Sequence, residues 1–428
     1  MAEQPVVIQK ISWESLCPWT IIFRTLPVAS TLSVIALSLV GVVVAPIGWR
    51  TAEALFVNED LRNDTQMTEI IRNNNSPYRG VLLPIADGVE PLTVMGVRVT
   101  GPREVFRQFV NPYRSLFNRD YSLRKFGYFL FGALWMLALW SFVGVAICRI
   151  CLMRLTRNEF LGMDDAFEYA LEKWTTAIGA IGAPLTAILV ICLPLSIVGL
   201  LMGFDVGLML VGLLWVIVIA AAALMGVLLF GLMFGWPLMV ASVSCEGQNA
   251  FDAMTRSYAY VFQRPLHYLF YSLVAILFGG LCWIIVAALA DMVVNLSYWS
   301  TSWGANVSID RMTEIVEAPP LDADGVSTET QTHYIGRSAI GLWNGLIKSI
   351  ATAFLYGLFW CMASSVYLLL RKDVDETEMD EVFVSAETRT YQLPPLRSDA
   401  DGIPQVQDPT PDVELPPEDR DPAESVED

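Results

Sequence analysis

The sequence predicts an all-α membrane protein: a six-helix transmembrane bundle with interfacial amphipathic helices and a small extracytoplasmic insertion. Hydrophobic residues make up 54% of the 428 residues, and charged residues only 17%. A soluble domain carries about 25% charged residues. The low content of charged residues comes from long uncharged runs that alternate with polar connections. This is the pattern of a polytopic membrane protein.

Six uncharged runs are long enough to be membrane spans, since each reaches the ~20 residues that a helix needs to cross ~30 Å of hydrocarbon. A span in lipid must satisfy its backbone hydrogen bonds internally, so each is expected to be helical. The predicted spans are Leu26–Trp49, Phe126–Cys148, Ile178–Phe204, Val206–Val240, Tyr268–Ala290 and Ile350–Leu370. The first is predicted to be an uncleaved anchor because its apolar core is too long for a signal peptide.

The spans divide the chain into five regions. These are a cytoplasmic N-terminal segment at 1–25, the first transmembrane helix at 26–49, an extracytoplasmic insertion at 50–125, a five-helix transmembrane region at 126–370 and an acidic, disordered cytoplasmic tail at 371–428. In the insertion, Val81–Pro84 and Thr93–Thr100 are strand-like, and Arg103–Phe117 has the spacing of an amphipathic helix. This pattern fits an independent domain and a cap on the spans equally well.

Basic residues near the span ends predict the orientation. They lie between spans two and three, between spans four and five, and directly after span six, for example at Arg149, Arg264 and Arg371. With six spans, these regions share one side with the N-terminus. We therefore predict a multi-pass protein of the cell inner (cytoplasmic) membrane with both termini in the cytoplasm. The arginines of 50–125 do not fit, but segments longer than ~60 residues are largely exempt from the rule.

The net charge of −17 belongs mainly to the end of the chain. Residues 373–428 hold 18 acidic and 3 basic residues, so the rest of the chain is nearly neutral. Repeated Asp, Glu and Pro with few aromatic residues predict disorder. The tail is either a solvating segment or a docking strip for a basic protein partner. Nucleic acid is not expected as a partner because no basic footprint is present.

Residues suited to enzyme chemistry are scarce. The sequence has no zinc-protease, serine-hydrolase or phosphate-loop motif, and its only histidines are His267 and His333. Cys148-x-x-Cys151 has the spacing of a metal or redox motif, but it also spans about one helical turn, and a structural role is preferred. The spans lack charged residues away from their edges, which disfavours a proton-coupled pump. We predict no enzyme activity, no catalytic, cofactor-binding or metal-binding residue, and no cofactor.

Two of the connections resemble each other. Residues 162–174 align with residues 247–258 when Phe167 is matched to Phe251, and apolar residues then recur three, seven, ten and eleven positions later. This spacing makes one stripe of a helix. A span–amphipathic helix–span unit is therefore predicted twice, with both helices in the membrane interface. Parallel repeats occur in transporters, but duplication for structural reasons explains them as well and is preferred.

Glycines spaced four residues apart occur in the third and fourth spans. Gly199-x-x-x-Gly203 and Gly231-x-x-x-Gly235 have the spacing that allows helices to approach closely. Packing within the bundle is the simpler use, and association of two copies of the chain is the alternative. Pro194 and Pro237 are expected to kink or end their helices.

Two sequence blocks carry a family resemblance. The first is Gly235-Trp-Pro-Leu-Met-Val-Ala-Ser-Val-Ser-Cys-Glu-Gly247, continued by Ala250-Phe-Asp-Ala-Met-Thr-Arg-Ser-Tyr-Ala-Tyr-Val-Phe-Gln-Arg-Pro265. The second is Trp140-Ser-Phe-Val-Gly144 with Ile147-Cys-Arg-Ile150. Together with the spans, they resemble an uncharacterised family of multi-pass membrane proteins from planctomycete bacteria. The resemblance implies a bacterial membrane location and no particular activity. The stretch from Ala250 is also similar to the membrane domain attached to some glycerophosphodiesterases.

These observations favour a non-catalytic protein that organises the membrane or binds a partner. Its partners would be the lipid bilayer, a protein bound through the acidic tail, and a second copy of the chain. The alternative is a transporter or channel for a small or apolar solute. A lipid-modifying enzyme that uses Glu246, Arg256 and Arg264 is the third hypothesis. Those three residues are more simply interpreted as helix-surface and lipid-headgroup contacts.

Overall fold

The computed structural model describes residues 17–75, 101–116, 122–317, 330–377, 379 and 381–383, together with 397–398 and 404–405. It divides into two units, Met1–Phe383 and Val384–Asp428. In the second unit, strands β1 (Arg397–Ser398) and β2 (Pro404–Gln405) pair antiparallel. The predicted strand-like stretches 81–84 and 93–100 lie outside the described residues.

The first unit is helical in its described parts. A 3₁₀-helix, Pro18–Arg24, precedes the α-helices. These are α1 (Thr25–Ala29), α2 (Leu32–Phe56), α3 (Glu59–Arg62), α4 (Thr65–Asn74), α5 (Gly101–Leu116), α6 (Leu123–Thr156), α7 (Met163–Leu201), α8 (Asp205–Leu213), α9 (Trp215–Glu246), α10 (Ala250–Gln263), α11 (Pro265–Ala305), α12 (Ile309–Glu317) and α13 (Gln331–Asp375).

Six helices, α2, α6, α7, α9, α11 and α13, are long and apolar enough to cross a membrane. The chain is therefore a multi-pass membrane protein, and the predicted all-α six-helix bundle is confirmed. Some boundaries differ from the prediction. The first span begins later, at Leu32, because Thr31 has an extended backbone with ψ 145°. The fourth predicted span, 206–240, is interrupted at Leu214, which separates α8 from α9.

Helix α13 is the central helix of the bundle. Its most apolar stretch is 94% buried, whereas those of α7 and α9 are 11% and 6% buried. It packs against α2, α6, α9 and α11. The spans thus form a core around α13, and α7 and α9 make a hairpin that turns most of its apolar surface toward the membrane.

Helices α2 and α6 pack closely because glycines on each helix receive indole rings from the other. A Cβ atom added at Gly132 would lie 2.0 Å from the Trp49 ring, and one added at Gly48 would lie 2.1 Å from the Trp135 ring. Small residues that let backbones approach are a common device in membrane helix pairs. Here each glycine makes room for one tryptophan of the opposite helix.

The predicted amphipathic helix of the insertion is present as α5, and it packs among the spans. Its Phe109 is buried, with ring centroids 5.5 Å from Trp140, 4.7 Å from Trp236 and 6.0 Å from Trp360. Trp140 lies near the middle of α6. The apolar face of α5 therefore contributes to the interior of the bundle.

The two repeated connections differ in form. The first is the beginning of α7, whereas the second is a separate helix, α10, which ends before Pro265. Both aligned phenylalanines are exposed, Phe167 by 46% and Phe251 by 65%. Tyr169 and Ala253, two positions later, are buried. Ala170, Ala177 and Val261 of the predicted stripe are also buried. The two connections therefore bury part of the predicted stripe, but the aligned phenylalanines lie outside the buried face.

The two glycine pairs behave differently. A Cβ at Gly231 would lie 2.2 Å from the Tyr258 ring, and one at Gly235 would lie 3.8 Å from Ser257, so this pair packs α9 against α10. A Cβ at Gly199 would meet none of the described atoms within 4 Å. Helices α7 and α9 continue through Pro194 and Pro237.

Replacing Gly132 with alanine should destabilise the bundle, because the new methyl group would overlap the Trp49 ring. Overpacking of this kind costs about 1–3 kcal/mol. We expect a lower Tm in thermal unfolding of the detergent-solubilised protein. Gly226→Ala on α9 is the matched control, since a Cβ there meets no described atom within 4 Å. Equal losses in the two variants would contradict the proposed packing.

Candidate functional site

The most unusual polar feature lies where α6, α9 and α13 end. Arg149 on α6 and Arg371 on α13 are only 5% and 7% exposed. The side chain of Glu246, the last residue of α9, is 9% exposed. Charged side chains are rarely buried to this degree unless they are paired. We call this group, with Arg157 and Arg256, the arginine cluster, and the end of the bundle where it lies the arginine end.

Glu246 links three helices through its two carboxylate oxygens. Its Oε1 lies 3.1 Å from Nε of Arg371 and accepts a 2.6 Å hydrogen bond from the Tyr367 hydroxyl. Its Oε2 lies 2.6 Å from Nη1 of Arg256 on α10 and also accepts from the Gln248 amide. One buried carboxylate therefore contacts two guanidinium groups, and the additional donors bind its remaining lone pairs.

Arg149 is held by main-chain oxygens and by an aromatic ring. Its Nη1 donates to the Ser244 carbonyl at 3.0 Å, and its Nη2 donates to the Phe383 carbonyl at 2.6 Å. The guanidinium lies 4.4 Å from the centroid of the Tyr169 ring, and the Tyr169 hydroxyl donates to the Val243 carbonyl at 2.9 Å. Cation–π contacts strengthen when the cation is desolvated, which fits the burial of this side chain.

Residues 381–383, called the strap below, lie against the arginine cluster. Their three consecutive carbonyls each accept a hydrogen bond from a different arginine. Glu381 O accepts from Arg371 Nη1 at 2.5 Å, Val382 O from Arg157 Nη2 at 3.3 Å, and Phe383 O from Arg149 Nη2 at 2.6 Å. The Phe383 N–H donates to the Cys245 carbonyl at 3.0 Å. Main-chain atoms of the strap thus make all four of these bonds.

Gly247 shapes the surface on which the strap rests. It ends α9 in the left-handed conformation, with φ 62°, a region that glycine enters without the Cβ penalty. A Cβ added there would also lie 2.9 Å from the Phe383 ring. A glycine is therefore required at this position both by the backbone turn and by the approach of the strap.

Two carboxylates near the end of α13 extend the network. Asp375 accepts a 2.5 Å hydrogen bond from the Tyr260 hydroxyl, and Asp373 accepts a 2.7 Å bond from the Tyr271 hydroxyl. Arg256 Nη1 lies 3.5 Å from Asp375 Oδ2. These contacts tie the end of α13 to α10 and α11, so the strap continues from a helix end that is itself fixed.

Electrostatics keep Tyr260 and Arg256 of α10 each in one protonation state near neutral pH. Burial raises the pKa of the Tyr260 hydroxyl, and Asp375 raises it further. Burial lowers the pKa of Arg256, but Glu246 and neighbouring acidic groups outweigh that effect, so the pKa is raised overall. Both ordinary values already lie far above neutrality. Tyr260 therefore stays a hydrogen-bond donor, and Arg256 stays charged.

The structure corrects one sequence interpretation. Glu246 is not a helix-surface or headgroup contact, because it lies inside the arginine cluster, where Arg256 reaches it. Arg264 is exposed and precedes α11. From the sequence, Arg149 and Arg371 are only markers of orientation. Their burial has no signal in a single sequence, because a basic residue near the end of an apolar run is already explained by membrane orientation.

The cysteine pair of α6 makes structural contacts. The thiols of Cys148 and Cys151 are buried and lie 3.7 Å and 3.6 Å from the carbonyl oxygens of Trp360 and Cys361. In the described part of the chain, no group of three or more His, Cys, Asp or Glu side chains is placed to hold a metal ion. The arginine cluster is instead suited to binding an extended main chain.

Comparison with known proteins found no related protein. No protein-family model, curated protein or solved structure matches the chain. The resemblance to planctomycete membrane proteins stays a prediction.

Replacing Glu246 with alanine should destabilise the protein strongly, because Arg371 would then keep its buried charge without a carboxylate partner. Breaking a buried ion pair from one side costs about 3–5 kcal/mol. The measurement is thermal unfolding in detergent. The control is Glu172→Ala, since Glu172 is 63% exposed in its pair with Lys173 and should contribute roughly 0–1 kcal/mol. A Glu246 variant as stable as this control would contradict the role assigned to the carboxylate.

Proposed function

We propose that the protein is a non-catalytic membrane protein that presents its acidic tail from a fixed point on the bundle to a basic partner protein. The observation that carries this proposal is the strap, whose three carbonyls accept from Arg149, Arg157 and Arg371. The segment that follows it, 384–428, has 12 acidic and 3 basic residues. A charged segment attached at a defined place attracts an oppositely charged surface and orients it.

We place the arginine end in the cytoplasm and the protein in a bacterial inner membrane. Two observations support this. Trp19, which precedes the first span, packs against Phe270 at the start of α11, with ring centroids 6.2 Å apart. The start of the described bundle therefore lies at the same end as the strap. Basic residues accumulate at this end, as they do on the cytoplasmic side of membrane proteins.

The runner-up is a transporter or channel for a small or apolar solute. It receives less support because the ion pairs and hydrogen bonds of Glu246 and Arg371 occupy the interior at the arginine end. A water-filled path through the bundle would have to pass these groups. Recovery of a stoichiometric metal or organic cofactor from the purified protein would overturn the non-catalytic proposal itself.

The orientation can be tested by thiol labelling. Ser300 near the end of α11 and Glu159 after α6 are both exposed and lie toward opposite ends of the bundle. A membrane-impermeant maleimide should label Ser300→Cys in intact spheroplasts, whereas Glu159→Cys should react only after lysis. The unmodified chain gives the background from its own cysteines. The reverse pattern would contradict the proposed orientation.

The tail proposal predicts a partner whose binding depends on charge and on the strap. A protein should co-purify with the full chain at low salt, and high salt should release it because screening weakens exposed charge pairs. A variant with every Asp and Glu of 384–428 changed to Asn and Gln should lose that protein.

Arg157→Ala should weaken the same complex roughly tenfold, since it removes a charge-assisted bond to the Val382 carbonyl. The matched control is Arg154→Ala, one turn earlier on α6, because Arg154 donates to the Asn158 carbonyl instead. If the variant with the neutralised tail recovered as much partner as the unmodified chain, the proposal would be wrong. If the Arg157 and Arg154 variants bound the partner with equal affinity, the strap would have no part in partner binding.

A further inference from the structure

A second feature, separate from the arginine cluster, is an apolar pocket of about 470 Å³ between α5, α6, α7, α9 and α13. Ligand sites in proteins measure about 300–1,000 Å³ and often lie between the helices of bundles. Its walls include Phe109, Met136, Trp140, Ile181, Trp236 and Trp360. The pocket therefore has both the size and the lining of a site for an apolar ligand.

Packed aromatic rings make the walls of the pocket rigid. Trp140 and Trp360 are 2% and 1% exposed, and the Trp140 ring stacks on Tyr356 at a centroid distance of 4.4 Å. Trp360 lies against Gly144, where an added Cβ would come within 2.9 Å of its ring. Side chains held this tightly cannot readily move in to fill the space. The pocket is consequently preformed.

Two exposed lining residues place the mouth of the pocket on the surface that faces the membrane. Leu229 and Met233 of α9 line it and are 37% and 46% exposed. They belong to the hairpin whose apolar surface is turned toward lipid. Hydrocarbon of the membrane therefore reaches the mouth directly, and an apolar molecule enters without crossing water.

One charged residue lines the pocket at its rim. Arg114 on α5 is exposed and is a lining residue. The hydroxyl of its neighbour Tyr113 donates to the Ala133 carbonyl at 3.2 Å, which places the rim in the half of α6 away from the arginine cluster. Arginine is well suited to bind phosphate through its planar fork of donors. The rim thus complements a negatively charged headgroup.

We propose that this pocket binds an acyl chain of an anionic phospholipid whose phosphate lies at Arg114. The phospholipid belongs to the leaflet at the end of the bundle that lies away from the arginine cluster. The acyl chain fills the aromatic pocket, and the headgroup stays at the membrane surface. This binding site is independent of the tail and its partner.

The test measures lipid retained by the purified full-length protein. Protein exchanged into mixed micelles with phosphatidylglycerol or with phosphatidylcholine is examined by native mass spectrometry. We expect one phosphatidylglycerol per chain, held about tenfold more tightly than phosphatidylcholine, since one charge-assisted bond supplies such a factor. Equal retention of the two lipids would overturn the headgroup assignment, and a detergent molecule that neither lipid displaces would overturn the site.

Two pairs of variants distinguish binding of the headgroup from binding of the acyl chain. Arg114→Gln should remove the preference for phosphatidylglycerol, whereas Arg311→Gln, with a side chain 65% exposed on α12, should keep it. Leu229→Trp should fill the mouth and reduce retention of both lipids at least tenfold. Leu224→Trp is its control, because Leu224 is 53% exposed on the same helix and does not line the pocket. Unchanged retention in Leu229→Trp would refute the proposal even if Arg114→Gln behaved as expected.

Discussion

At the arginine end, Glu246 lies between Arg371 and Arg256 in a place that solvent barely reaches. Removing ions from water carries a penalty of several kcal/mol for each ion, which is recovered only with good geometry and further hydrogen bonds. Tyr367 supplies such a bond. The ends of α9 and α13 and the middle of α10 must therefore keep their relative positions. Arg371, one of the arginines that hold the strap, depends directly on this arrangement.

The spans could be predicted from the sequence because the thickness of the bilayer sets their length and removes charge from them. Their ends were predicted less well, since local backbone conformations at Thr31 and Leu214 determine where α2 and α9 begin. Hydropathy does not record these conformations. The packing order of the spans does not follow from hydropathy alone, because every span is apolar on most of its surface and the most buried span, α13, is less apolar than the lipid-facing α7.

The arginine cluster shows a different limit. Arg149 and Arg371 lie far apart in the chain, and a basic residue at a span end is adequately explained by membrane orientation alone. The strap is a short stretch inside a long acidic segment, so the composition of that segment predicts a disordered tail. The strap is held by Arg149 on α6, by Arg157 directly after α6, and by Arg371 on α13. Tertiary contacts of this kind are invisible to any pattern within one segment.

The bonds that hold residues 381–383 have an evolutionary consequence. Because carbonyl oxygens and one amide make them, most exchanges of the exposed Glu381 side chain would leave the attachment intact. Proline at position 383 is excluded, since it lacks the hydrogen that Cys245 accepts. The attachment is thus encoded in main-chain atoms. If the tail binds a partner as proposed, the sequence beyond residue 383 is free to diversify toward new binding specificities while its point of origin stays constant.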